Sequence, residues 1–240
     1  GSFSGTINSF GVKGLDVERF LKLFPPVSAR LKDVPLENKN ALQLIRERDK
    51  KGSLIYADPP WHYDRKHGSG VAENHYPTMS IEEICALPVS ELAAKDSALF
   101  LWATFPQLNE AFRVIDAWGF KYKTLAFLWL KQNRKADSWF YGMGFWTRSN
   151  AEVCLLATRG HPKRQAANVH QFIISPVREH SRKPEEAREK IVALMGDLPR
   201  VELFARQSPP GWDVWGNEVE PTIPDFWTKC PEEADQKEGL

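Results

Sequence analysis

Apolar strand-like runs alternate with amphipathic helical stretches along this chain, which predicts an α/β protein with a mostly parallel central sheet covered by helices on both faces. Three observations carry that reading. Five short runs rich in branched and aromatic residues recur, each bounded by turn-forming residues. The segments between them carry helix start and stop signals. The length, 240 residues at 42% hydrophobic and 26% charged, suits one large domain with embellishments.

In chain order, residues 1 to 15 are polar and Gly-rich and are expected to be a flexible terminus. A single domain is expected over 16 to 220, with an acidic tail over 221 to 240. "VERFLKLFPP" reads as a short helix stopped by Pro25 and Pro26, and "NALQLIRERD" as a second amphipathic helix. "SLIYA" (53 to 57) is the first strand. In "TMSIEEICALPVSELAAKD", Ser80 followed by Glu83 is a capping-box signature for a helix starting near Ile81. "SALFLWAT" is the second strand. "PQLNEAFRVIDAWGF" is a helix with Pro106 in its first turn and Gly119 at its end. "KTLAFLWLK" and "AEVCLLATRG" are the third and fourth strands. "KPEEAREKIVALMG" is a helix closed by Gly196, and "RVELFAR" the last strand.

Two stretches fit neither pattern: 62 to 77 and 132 to 150. Loops of that length in a compact domain are usually binding loops or lids. Both follow a strand, so both are expected outside the carboxyl edge of the sheet, where open α/β folds place ligands.

Net charge is only +1 but unevenly spread. From Lys121 to Lys190 there are 14 Lys or Arg against 6 Asp or Glu, whereas Asn217 to Leu240 holds 7 acids and 2 lysines. A basic middle suits a polyanionic partner, although a solvated surface accounts for the same count. Three widely spaced cysteines indicate neither a disulfide framework nor a Cys-x-x-Cys metal site, and a reducing cytoplasm is expected. No apolar run is long enough to span a bilayer. No signal-peptide pattern precedes the first strand, and Gly1-Ser2 reads as a cloning remnant. The six histidines show no ligand spacing, so no metal is expected.

The stretch "LIYADPPWHY" (54 to 63) ends a buried strand in one acid, two prolines and a tryptophan. Asp58 there can accept two hydrogen bonds from a single amino group. Pro59 and Pro60 are rigid and offer carbonyls without N–H donors. Trp61 adds an apolar wall. Such a corner is complementary to a planar heterocycle bearing an amino group; a strand-ending turn with a core tryptophan fits the same letters equally well.

"ADPPW" resembles the catalytic motif of the METTL-type N6-adenine methyltransferases. "YPTMSIEEICALP", "LFLWAT", "FWTRSNAEVCLLATRGHP", "REHSRKPEE" and "VELFARQSPPGWDVWGNE" are similar to the family in order and spacing, so the likeness covers roughly Leu54 to Glu218. The resemblance implies a Rossmann-like methyltransferase fold of the β class, in which the catalytic motif precedes the cofactor half. The absence of G-x-G-x-x-G after the first strand is consistent with that order. It implies S-adenosylmethionine as cofactor and Asp58, Pro59, Pro60 and Trp61 as the catalytic corner. It also implies cofactor contacts at Asp58, Lys183, Glu202, Arg206 and Asn217, with Asn40 and Ala41 near the cofactor's adenine. Ser208-Pro209 departs from the polar pair of the messenger-RNA enzymes, which puts contacts there in doubt.

For substrate, Tyr76 and Trp61 are candidates to flank an extruded base. Trp139, Trp146 and Arg148 in the long basic loop, and Arg159, Lys163 and Arg164 in "RGHPKR", are candidates to stack bases or meet phosphates. Lys131, Arg134 and Lys135 add charge to that loop. The resemblance implies DNA as the substrate, because the compact chain, with no zinc-finger spacing or RNA-binding appendage, is similar to bacterial and phage members of the family. RNA fits the same chemistry, and a non-catalytic binding partner is a third reading, opposed by the intact Asp58 motif and Lys183. A homo- or hetero-oligomer is compatible with the sequence.

Overall fold

The computed structural model describes residues 52–62, 78–144, 146–178 and 182–223. The first two helices expected from the sequence, the terminus over 1 to 15, most of the first long loop and the end of the acidic tail lie outside the described residues, as do Asn40, Ala41, His75 and Tyr76.

Seven strands form one sheet in the order β5-β3-β4-β2-β1-β6-β7. They are β1 (Ser53–Ala57), β2 (Ser97–Ala103), β3 (Lys121–Gln132), β4 (Ala151–Arg159), β5 (Phe172–Pro176), β6 (Arg200–Leu203) and β7 (Asp213–Trp215). β1 pairs in parallel with β2 and β6, β6 with β7, and β3 with β5, whereas β4 is antiparallel to both its neighbours. The sheet is therefore largely parallel, as the alternation indicates, with one reversed strand. The reversal follows from connectivity: β3 and β4 are joined by a hairpin-like loop instead of a crossover helix. β5 and β7 are additions to the sequence reading; both are short, and only part of each is buried.

Helix α1 (Ile81–Ala86) starts at the capping box read from the sequence, with Ser80 accepting from the Glu83 N–H and Glu83 accepting from the Ser80 N–H at 2.6 Å. The helix ends early. Pro88 disfavours helical backbone in the residue before it and cannot donate a helical N–H, so the chain breaks and restarts as α2 (Val89–Leu92). α3 (Leu108–Ala117) follows a 3-10 turn at Phe105–Gln107, and α4 (Glu186–Met195) ends at Gly196 with φ 85.

Period-2 alternation divides the strands into two faces. Ile55, Ala57, Leu99 and Leu101 face α1, α2 and α3 through Ile84, Val89, Val114 and Ile115. Leu54, Tyr56, Phe100 and Trp102 face α4 through Ala187, Ile191 and Met195. Asp58 follows β1 in the same alternation as Leu54 and Tyr56, which aims it at the α4 face.

Candidate active site

The carboxyl edge of the sheet, on the α4 face, gathers charges from four separate strands. β1 contributes Asp58, β6 Glu202, β3 Lys131 and β4 Glu152. Glu152 is the second residue of its strand, yet it reaches this edge because β4 runs backwards: Trp129 of β3 and Glu152 are in register. Lys183 enters from the segment that leads into α4.

These side chains form an alternating chain of charge. Lys183 Nζ donates to Asp58 Oδ2 at 2.6 Å and lies 3.3 Å from Glu152 Oε2, and Glu152 Oε1 in turn accepts from Lys131 Nζ. Beneath lies an aromatic floor. Trp102 Nε1 donates to Tyr56 Oη at 2.8 Å and its ring meets Trp129 edge-on at 6.5 Å. The Lys183 ammonium sits 5.7 Å from the Trp102 ring centre and the Lys131 ammonium 4.9 Å from that of Trp129. Both ammonium groups thus combine carboxylate partners with a cation–π contact, which offsets part of the cost of taking them out of water.

The two acids respond differently. Burial pushes the Asp58 carboxyl above its ordinary value, against the opposing pull of Lys183. Burial acts the same way on Glu152, but Lys183 and Lys131 together outweigh it and bring that carboxyl down to about 2. Asp58 has one close ammonium, with the Glu152 charge opposing it and Arg206 a smaller aid, whereas Glu152 has two ammonium groups in contact. Lys183 is raised, since Asp58 and Glu152 overcome a burial penalty that alone would lower it.

Beside Asp58 opens a narrow, solvent-open cleft lined by Arg182, Lys183, Glu202, Phe204 and Arg206 among others. Glu202 is held by Arg188 Nη1 of α4, at 3.2 and 3.0 Å from its two oxygens. Burial raises the Glu202 carboxyl, with Arg188 opposing. Phe204 has φ 60, a left-handed conformation costing a bulky residue about 1–3 kcal/mol, and packs edge-on against Trp215 at 5.5 Å. Arg182 Nε is a buried donor in this cleft with no hydrogen-bond partner among the described residues, while its Nη2 pairs with Glu185.

Of the residues the sequence singles out, Asp58, Lys183, Glu202 and Arg206 converge on the cleft. Arg206 Nε lies 3.5 Å from Glu218, and the neighbouring Asn217 is exposed. Trp139 (42% exposed), Trp146 (100% exposed) and Arg148 lie on the loop after β3, at the same edge of the sheet. Lys131 turns inward to Glu152 and is not part of that loop's free charge.

Three placements differ from the sequence reading. Trp61 is 5% exposed; it joins the core cluster with Ile84 and Leu101, and its Nε1 donates to the Trp102 carbonyl at 3.1 Å. It is a core tryptophan, and the aromatic residues that line the cleft are Tyr56 and Phe204. Trp61→Ala is expected to cost about 3–5 kcal/mol of stability in a urea melt, as for a buried aromatic; a loss under about 1 kcal/mol would contradict this placement. The prolyl carbonyls are already engaged, Pro59 accepting from the Trp61 N–H and Pro60 from the Met79 N–H, both at 2.9 Å, so each has one lone pair left. Arg159, Lys163 and Arg164 are not brought to this cleft: reversed β4 carries them to the opposite edge, where Arg159 is in register with Ser97.

Glu152, Lys131 and Arg188 were not singled out as site residues from the sequence. A charged residue inside the apolar run "AEVCLLA" was the available signal for Glu152. Arg188 resembles any solvated helix arginine in "EEAREK". Among the described residues no group of three or more His, Cys, Asp or Glu is placed to hold a metal ion, and no helix is long and apolar enough to cross a membrane.

Residues 53–218 match the MT-A70 family model. The chain is 34% identical over 210 residues to the Type II methyltransferase M.MunI of a Mycoplasma species, which covers 79% of this chain and 85% of that protein. It is 30% identical over 169 residues to the N(6)-adenosine-methyltransferase MT-A70-like protein of Arabidopsis thaliana, 69% of this chain and 23% of the relative. It is 28% identical over 174 residues to the human N(6)-adenosine-methyltransferase catalytic subunit METTL3, 71% of this chain and 28% of the relative. The chain thus spans about a quarter of the length of these two eukaryotic relatives.

Proposed function

This chain belongs to the MT-A70 family of adenine-N6 methyltransferases, and from that premise we propose that it moves a methyl group from S-adenosylmethionine to the exocyclic amine of adenine in DNA, at Asp58. The observation that carries the proposal is the position of Asp58: at the carboxyl end of a central strand, one oxygen tied to Lys183, and bordering the charged cleft.

The cleft suits a cofactor that is itself zwitterionic. Lys183 and the orphaned Arg182 Nε–H match a carboxylate, and Glu202 and Arg206 match hydroxyl and amino groups. Phe204, strained open at the strand end, offers an apolar face. S-adenosylmethionine, when bound, supplies an electrophilic methyl group on a sulfonium.

An adenine amine is a poor nucleophile because its lone pair is delocalised into the ring. Asp58 Oδ1 and the remaining lone pair of the Pro59 carbonyl accept its two N–H groups, which fixes the nitrogen and offsets the positive charge that grows on it. As the N–CH₃ bond replaces the S–CH₃ bond, one of these protons is given up along its hydrogen bond and on to water. Lys183 holds the Asp58 carboxylate in one orientation through Oδ2. Positioning of this kind is worth up to about 7–11 kcal/mol of the barrier, so the corner acts chiefly by geometry. A paired base cannot reach it, and the target must be extruded or single-stranded. The loop after β3, at the same edge, is then the surface that meets the strand around it.

DNA is preferred over RNA because the likeness to the Type II methyltransferase, 34% identity over 210 residues, exceeds that to the adenosine enzymes, 30% over 169 and 28% over 174. Labelled S-adenosylmethionine offered with matched DNA and RNA, single- and double-stranded, tests the assignment. Label on adenine N6 of DNA is expected; label confined to RNA would replace the substrate, and label on cytosine would end the reading. Trp146→Ala is expected to change stability by no more than about 0.5 kcal/mol. It should weaken binding of a single-stranded oligonucleotide by about 1–3 kcal/mol, read by fluorescence anisotropy. Unchanged affinity would remove Trp146 from the interface.

A further inference from the structure

The reversal of β4 that brings Glu152 to the catalytic edge sends the basic segment Arg159–Arg164 to the other one. Arg159 is in register with Ser97, and Ser97 with Ser53, the first residue of β1. Asp58 lies five residues farther along, about 17 Å at roughly 3.3 Å per residue.

The turn at this far edge is tightly built. Gly160 has φ 63, and a Cβ there would lie 2.2 Å from Asp96 Oδ1 and 2.3 Å from the Lys95 carbonyl. The same Asp96 oxygen accepts the His161 N–H at 2.7 Å, and Arg159 Nη1 donates to the Ser90 carbonyl at 2.7 Å. Pro162 stiffens the next step. Methyl transfer makes no use of this rigidity, yet it fixes the course of the chain into Lys163 and Arg164, both exposed.

β3 starts at the same edge, with Lys121 in register with Thr158. Lys121 and Lys123 are exposed, and between them Tyr122, 44% exposed, packs edge-on against Phe112. Counting Lys95, Arg159 and Arg200, seven basic residues stand here against Glu91, Asp96, Asp116 and Asp197; the Asp96 carboxylate is taken up by the turn, and Asp197 pairs with Arg200.

We infer that this amino-terminal edge is a second nucleic-acid surface, gripping phosphates of the substrate's backbone away from the target base. The inference rests on the reading that the substrate is DNA. The sheet and its helices stand between the two edges, so an oligonucleotide just long enough to fill the catalytic edge does not reach this one. A long duplex does, by bending around the domain or by supplying a second segment. The contacts are to phosphate, so they add affinity and salt dependence without sequence preference.

The test uses the full chain with Lys163→Ala/Arg164→Ala and Lys121→Ala/Lys123→Ala, singly and combined, on duplexes of about 14 and about 60 base pairs. The combined variant is expected to bind the long duplex about tenfold or more weakly near 0.1 M salt, with the slope of log K against log salt reduced by about 3 to 4. Binding to the short duplex, and methylation of it by Lys121→Ala/Lys123→Ala, should stay at wild-type level. Should the wild type methylate the short duplex while the combined variant keeps its affinity and slope on the long one, the second surface is refuted and the methyltransferase reading stands. Should the wild type bind and methylate neither duplex, both fall. Loss of binding to anionic vesicles with long-duplex binding intact would assign the edge to a membrane surface and overturn the proposal.

Discussion

Asp58→Ala is expected to lower kcat by at least about 10²–10³, because in the proposed mechanism its carboxylate accepts from the reacting amine as charge develops there. Asp58→Asn keeps the volume but turns a charged acceptor into a neutral amide, and should fall in the same range. The loss should appear in kcat at saturating cofactor, measured by transfer of labelled methyl groups. Wild-type turnover by either variant would place the chemistry elsewhere. The pH profile adds a second reading. Burial pushes the Asp58 carboxyl up, so its neutral form is populated at a higher pH than that of a free aspartate. Activity that needs the carboxylate is present above that raised value and lost as pH falls through it. The acid limb of log kcat should therefore lie above about 3.9, the ordinary aspartate value; a limb at or below it would exclude Asp58 as the titrating group.

Glu152→Gln should have its largest effect on stability. The side chain is 12% exposed and shares its two oxygens between Lys183 and Lys131. Neutralising it leaves Lys131 without the carboxylate it pairs with and removes one of the carboxylates that hold Lys183. Breaking a buried ion pair from one side costs about 3–5 kcal/mol, and the depressed carboxyl gives a similar figure. With a folded value of about 2 against an ordinary 4.5, the shift corresponds to about 3 kcal/mol. The folded value is the lower one, so this stability is fully present above the unfolded pKa and fades as pH falls from about 5 toward 2. Urea melts at pH 7 and near pH 3 should show a wide gap between wild type and Glu152→Gln that narrows on acidification. A gap below about 1 kcal/mol at pH 7 would show that the two lysines do not depend on Glu152. The two acids that share Lys183 thus divide the work in the proposed mechanism: Glu152 anchors the ammonium, and Asp58 is left to accept from the substrate.

Much of the fold was legible because its signals are local. Ser80 and Glu83 sit at capping-box spacing whatever surrounds them, and Gly196 and the apolar runs mark element ends by backbone preference alone. Pro88 was visible too, but its effect, two short helices in place of one, depends on a residue-scale competition that pattern reading smooths over. β5 and β7 were missed because short, partly buried strands carry too few apolar positions to show a period.

The site was legible in half. Asp58, Lys183, Glu202 and Arg206 were named from motif likeness, and the structure brings them to one cleft. Trp61 was ambiguous: a tryptophan after two prolines suits a wall or a core equally, and packing against α1 and the sheet decided for the core. Glu152 and Lys131 were hidden by a more general limit. An apolar strand reads the same in either direction, and a loop of the length between β3 and β4 serves a hairpin or a crossover.

The sequence by itself determined the class of fold, the order of its elements and the acid at the end of β1, since each depends on neighbours a few residues away. Only the tertiary structure decided the direction of β4, and with it which charges meet Asp58 and which face the other way. Strand direction is set by how chain ends are connected across the sheet, and that free energy is spread over contacts between residues far apart in the chain.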